Sequence, residues 1–116
     1  MKFHSTSASD IYVGGSAGWF EPGFPWFYTT WAQNTEFHLH DRLIFNFSTG
    51  EHTVAEVTPE AFVVCDGSHP IQFLTGGPAF VSINTASDRY FICSIGNHCN
   101  SGQKFNFNVK TNAYTS

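Results

Sequence analysis

The sequence predicts an all-β domain, a Greek-key sandwich or barrel with one or two short helices, on three observations. Short runs in which apolar and polar residues alternate recur along the chain. Turn signals separate them at short intervals, at Gly14-Gly15, Pro22-Gly23, Ser48-Thr49-Gly50, Asp66-Gly67, Gly76-Gly77-Pro78, Gly96-Asn97 and Ser101-Gly102. The third observation is compositional. Charged residues make up 12% of the 116, about half the usual share, while thirteen Phe, four Tyr and three Trp supply a large apolar load. Such a chain buries a core rather than remaining disordered, and its length suits one domain. The domain is expected over residues 10–111, behind a flexible N-terminal segment at 1–9 and ahead of a tail at 112–116.

The elements follow in order. In "WFYTTWAQ" (26–33) a helical turn competes with a reading in which the Trp and Tyr residues simply fill the core. His38 and His40 alternate on one expected strand and so share a face; two imidazoles without a third ligand bind zinc weakly, which favours a solvated strand. In "RLIFNFS" (42–48) Leu43, Phe45 and Phe47 take one face and Arg42, Asn46 and Ser48 the other, with Ile44 the exception. "HTVAEV" (52–57), "FVSIN" (80–84) and "RYFIC" (89–93) read as further strands. In "KFNFNVK" (104–110) alternation is complete, with Phe105, Phe107 and Val109 inward. Between two of these, "TPEAFVVC" (58–65) carries an N-cap at Thr58, a proline at the first helical position and the acidic Glu60 in the first turn, which predicts a short helix.

Several function classes are excluded. Net charge is −4, and Lys2, Arg42, Arg89, Lys104 and Lys110 are scattered, so there is no electrostatic footprint for nucleic acid. The aromatic residues are accordingly read as core packing rather than as a platform for bases or sugars. No apolar run approaches the ~20 residues that cross a bilayer, and "MKFHSTSASD" lacks the apolar centre of a secretory signal. The chain is therefore expected to be a mature domain behind a start Met. His4 and His69 have no partners in sequence and read as surface residues. Asn46-Phe47-Ser48 is an acceptor motif for N-glycosylation, with Asn46 on the outward face.

The chemistry concentrates in "YFICSIGNHCNSGQKFNFNV" (90–109). An apolar strand ends on Cys93, and a loop with Gly96 and Gly102 then delivers His98, Cys99 and Gln103. Such a loop can bring a thiolate, an imidazole and an amide oxygen to one ion. A second imidazole must come from elsewhere, and His52, just after the turn at Ser48-Thr49-Gly50, is a candidate. One thiolate, two imidazoles and a weak fourth ligand suit a type 1 copper site. The usual thioether has no candidate except Met1, so Gln103 is the axial choice. Three cysteines leave one unpaired. Neighbouring residues on an extended backbone point to opposite sides, so Cys99 faces away from the ion that His98 reaches and is free to pair with Cys65. Such a bridge is worth roughly 3 to 4 kcal/mol in the chain-entropy model, and Cys93 is left as the thiolate.

These segments, with "YVGGSAGW" (12–19), "YTTWA" (28–32), "FHLHDRLIFNF" (37–47) and "HTVAEVTPEAFVVC" (52–65), resemble the plant phytocyanins, and among them the stellacyanins with an axial glutamine. The resemblance covers essentially the whole chain past residue 10. It implies a cupredoxin-like Greek-key sandwich, one copper ion at His52, Cys93, His98 and Gln103, a Cys65–Cys99 disulfide and electron transfer outside the cell or at its surface. Two positions depart from the family pattern. Thr53 stands where Asn or Asp usually follows the first ligand histidine, and His40 stands where Gly usually precedes the Asp of "HLHD".

The expected function is single-electron transport by a monomer, with a small molecule or protein docking near His98 as redox partner. No catalytic residue is expected, because four ligands leave no open position for substrate. A copper oxidase would need more metal centres and more than six histidines. The rival from another class is an extracellular recognition or structural domain in which copper redox is incidental.

Overall fold

The computed structural model describes residues 8–109. The tail expected at 112–116, most of the N-terminal segment, and with it Met1 and His4, lie outside them.

Two sheets form the body. In the first, β1 (Asp10–Tyr12) runs parallel to β2 (Arg42–Phe45), which pairs antiparallel with β5 (Ala79–Ser82). The second has the order β4 (Gln72–Leu74), β3 (Val54–Val57), β6 (Arg89–Ile92), β7 (Lys104–Phe107), all antiparallel. The chain changes sheet between β2 and β3, between β4 and β5, and again between β5 and β6. This is the expected all-β architecture. The short strands β1 and β4 escape the sequence reading because three residues hold too little alternation to register.

The inner faces meet in an aromatic core. Phe45 of the first sheet stands 5.3 Å from Phe91 of the second, and Phe91, Phe105 and Phe107 stack across β6 and β7. Phe105, Phe107 and Val109 are buried as their alternation requires, as are Leu43, Phe45 and Phe47. Each such side chain contributes about 1.5 to 3 kcal/mol of transfer free energy. Ile44, the exception, is buried on the opposite face, in register between Tyr12 and Phe80.

β3 departs from the expected alternation, for all four of its residues are buried. Its outer face is covered by the helix α2 (Pro59–Val64), where Ala55, Val57, Ile92 and Cys99 pack with Ala61, Phe62, Cys65 and Tyr90. The Thr58 hydroxyl caps α2 by accepting from the Ala61 N–H at 3.2 Å, and Pro59 opens it. Across β3 and β6, the Arg89 guanidinium grips the buried Glu56 carboxylate with two bonds of 2.8 and 2.9 Å.

One open alternative is settled and one expectation corrected. "WFYTTWAQ" takes the helical reading, as α1 (Phe27–Gln33), with Phe27, Tyr28 and Trp31 in or against the core and Trp26 outside it. Tyr28 is fully buried, donating to the Gly18 carbonyl at 2.5 Å and accepting from the Phe20 N–H at 3.0 Å. Trp26, one residue before the helix, is 60% exposed and packs on Phe24 instead. His38 and His40 do not share a strand face. The buried Asp41 carboxylate accepts from the N–H groups of His38 and Ser9 at 2.9 and 3.0 Å, which turns the chain. His40 adopts φ 77° in that turn, the left-handed conformation that glycine adopts without cost, while the His38 ring lies beside Glu36 and Asp41.

Candidate metal centre

Three segments deliver the functional side chains. Cys93 follows the last residue of β6, so its sulfur enters the end of the core, where it is buried and unpaired. His98 lies on a loop wound into tight turns, with Ser101 N–H donating to Asn97 and His98 and Gly102 N–H donating to Cys99. The loop is closed at its base by Gln103 N–H to the His98 carbonyl at 2.9 Å and Cys93 N–H to the Gln103 carbonyl at 3.1 Å. His52 comes from the other strand, in an isolated bridge to Thr49 two residues before β3 rather than inside it.

The three donors converge. Nδ1 of His52 and Nδ1 of His98 are 3.2 Å apart, and the Cys93 sulfur lies 4.0 and 3.5 Å from them. Together they form a group able to hold one metal ion. Among the described residues the side-chain Oε1 and Nε2 of the fully buried Gln103 find no hydrogen-bond partner. A buried amide left this way costs free energy unless something else engages it, and a cation beside Oε1 would do so.

Burial, and then the neighbouring His98, push the His52 imidazole below the usual histidine value, against a weaker pull from Glu51 and Glu21. A ring kept neutral offers the lone pair that a metal requires. The outer nitrogen of His98, Nε2, faces Glu21 Oε1 at 3.7 Å. Glu21 is held there because Gly23 N–H donates to the Ser101 carbonyl at 3.0 Å. Gly102, at φ 105°, leaves no room for a Cβ against the Phe24 carbonyl.

Cys65 and Cys99 form the disulfide, with Cα atoms 5.8 Å apart. It ties the residue after His98 to the end of α2. His69 is exposed and hydrogen-bonded to the Ser68 hydroxyl, and Asn46 is exposed beyond the end of β2. The feature that sequence reasoning missed is Glu21, which no local motif marks; Thr53 stands out in the sequence as a departure, and the structure adds its partner. The Thr53 hydroxyl bonds to both the N–H and the hydroxyl of Ser94, at 2.9 and 2.7 Å.

A family model described as a plastocyanin-like domain matches residues 19–103. A blue copper protein of Arabidopsis thaliana is 42% identical over 102 residues, covering 88% of this chain and 52% of its own length. The stellacyanin of Toxicodendron vernicifluum is 35% identical over 84% of this chain and 92% of its own. Early nodulin-like protein 14 of Arabidopsis thaliana is 33% identical over 92% of this chain and 60% of its own. The chain thus spans little more than half the length of the two Arabidopsis proteins. Among solved structures, the Cu2+ form of cucumber stellacyanin superposes with a TM-score of 0.79 at 31% identity, covering 94% of this chain and 99% of that one.

Proposed function

This chain belongs to the phytocyanins, within the plastocyanin-like domain family, and from that premise we propose that it is a carrier of single electrons with one resident copper ion. The observation that carries the reading is the convergence of two imidazole nitrogens on the one unpaired, buried thiol.

Nδ1 of His52, Sγ of Cys93 and Nδ1 of His98 would hold the ion, and Oε1 of Gln103 would be its weak fourth donor. Copper supplies a Cu(II)/Cu(I) couple, taking up and returning one electron. The residues do the rest. The loop from Cys93 to Gln103 is clamped by its own backbone bonds and by the disulfide, so the donors keep their positions when charge changes. Four donors leave no place for a substrate, which supports a carrier rather than an enzyme. The amide oxygen of Gln103 is harder than a thioether and would favour Cu(II), lowering the potential relative to a methionine in the same place. The half-buried ring of His98 is the exit for the electron, toward a small molecule or protein that docks beside it.

The disulfide suits an oxidising compartment, and we place the working protein outside the cell or at its surface, as a monomeric domain over residues 10–111. Among the described residues no helix is long and apolar enough to cross a membrane. Voltammetry of the copper-loaded protein tests the proposal. One reversible one-electron wave supports it; a loaded protein with no reversible wave sinks it.

A second reading is an extracellular recognition or structural domain with copper redox incidental; early nodulin-like proteins are among the relatives. That reading predicts a protein that remains colourless when Cu(II) is added.

A further inference from the structure

The Asn46-Phe47-Ser48 motif is unused by the metal centre, and it is the only Asn-x-Ser/Thr sequence in the chain. β2 ends at Phe45, and the exposed Asn46 continues the outward face of that strand. A groove of about 490 Å³ opens at this residue, lined by Asp10, Tyr12, Ser16, Trp31, Thr35 and Asn46 among others. Two of these are aromatic, and Tyr12 is 52% exposed. The others offer a carboxylate, two hydroxyls and the Asn46 amide. Both Asp10 oxygens accept from Arg42 at 3.0 Å, which fixes the carboxylate while leaving lone pairs for a further donor.

A pyranose ring has an apolar C–H face and a polar rim of hydroxyl groups. This groove offers the counterpart of each, aromatic residues beside polar groups, and Asn46 is among the residues that line it. We infer that Asn46 carries an N-linked glycan whose first N-acetylglucosamine is seated in the groove. Its C–H face lies on Tyr12, and its hydroxyl and acetamide groups turn toward Asp10, Ser16 and Thr35. The modification is a group transfer from a lipid pyrophosphate oligosaccharide. The Asn46 amide nitrogen forms a bond to sugar C1 and gives up one proton, the C1–O bond to phosphate breaks, and the lipid pyrophosphate departs with the electron pair. The inference rests on the extracellular placement in the proposed function, and not on copper.

The test is to secrete the full chain from a eukaryotic host behind a heterologous signal. Its intact mass is then compared before and after peptide-N-glycosidase treatment. One glycan is expected, absent from Asn46→Gln and from Ser48→Ala. Seating is read separately, by nuclear Overhauser contacts between sugar protons and the Tyr12 ring and by the rate at which the glycosidase releases the glycan from the folded protein. Tyr12→Ala should keep the mass increment of the glycan, lose the contacts and release the glycan severalfold faster, whereas Tyr12→Phe, which keeps the ring face, should behave as wild type. A secreted chain without a glycan overturns the inference. So does a glycan that shows no contact with Tyr12 and is released equally fast from wild type and Tyr12→Ala. Copper colour in the same preparation is an independent result, so loss of the carrier reading and loss of this one are told apart.

Discussion

The backbone N–H of Thr53 points at the sulfur of Cys93 from 3.5 Å, across 40 residues of sequence. The same residue accepts the Ser94 N–H on its hydroxyl at 2.9 Å and the Trp19 indole N–H on its carbonyl at 2.8 Å. One side chain thus fastens the segment bearing His52 to the segment bearing Cys93. Replacing Thr53 by valine keeps the shape but leaves the Ser94 N–H without its acceptor. The metal-free protein should lose about 1 to 3 kcal/mol in urea unfolding. The backbone contact to sulfur survives the substitution, so the thiolate colour of the loaded protein should persist.

The disulfide spans 34 residues of sequence. Its removal in Cys65→Ala/Cys99→Ala should cost about 3 to 4 kcal/mol on the chain-entropy model. Metal should also be held more weakly, because the bridge anchors the residue next to His98. Urea midpoints and copper retention against a chelator measure the two effects.

Glu21 bears on the potential. Its carboxylate beside His98 favours the more highly charged oxidation state, so Glu21→Gln should raise the potential. An exposed pair at this distance is worth about 0.2 to 1 kcal/mol, or roughly 10 to 40 mV for one electron. The difference should shrink as salt is added. Equal potentials for the two proteins at low salt would count against the contact.

The metal-free protein should weaken in mild acid through His52. Its folded value is lowered, so between that value and the ordinary 6.5 the unfolded chain binds more protons than the folded one. The stability contribution is therefore fully present above 6.5 and is lost as pH falls through the folded value. Urea unfolding of wild type and of His52→Asn at several pH values isolates this share. Parallel profiles for the two would contradict it.

Gln103→Met should raise the potential, because a thioether favours Cu(I) more than an amide oxygen does. An unchanged or lower potential would remove Gln103 from the axial role.

Much of this was legible in the residues. The alternation of "KFNFNVK" places Phe105 and Phe107 inward without aid, and Thr58-Pro59 marks the start of α2. The spacing of Cys93, His98 and Gln103 marks the loop because its donors are local in sequence. His52 and Glu21 are different, since long-range packing alone brings them to that loop. β3 misleads for a related reason: its outer face is covered by α2, and a strand buried on both faces loses its alternation. The turn at Asp41 hides as well, because the buried carboxylate that bends the chain lies beside two histidines that alternate as a strand would.

The central claim is that Cys93 binds the copper ion as a thiolate alongside the two imidazoles. The visible absorption spectrum during titration of the metal-free protein with Cu(II) tests it most directly. The account predicts a strong sulfur-to-copper charge-transfer band that saturates at one equivalent and is absent from Cys93→Ser. A protein that binds Cu(II) at one equivalent without that band, or a band that survives in Cys93→Ser, would contradict it.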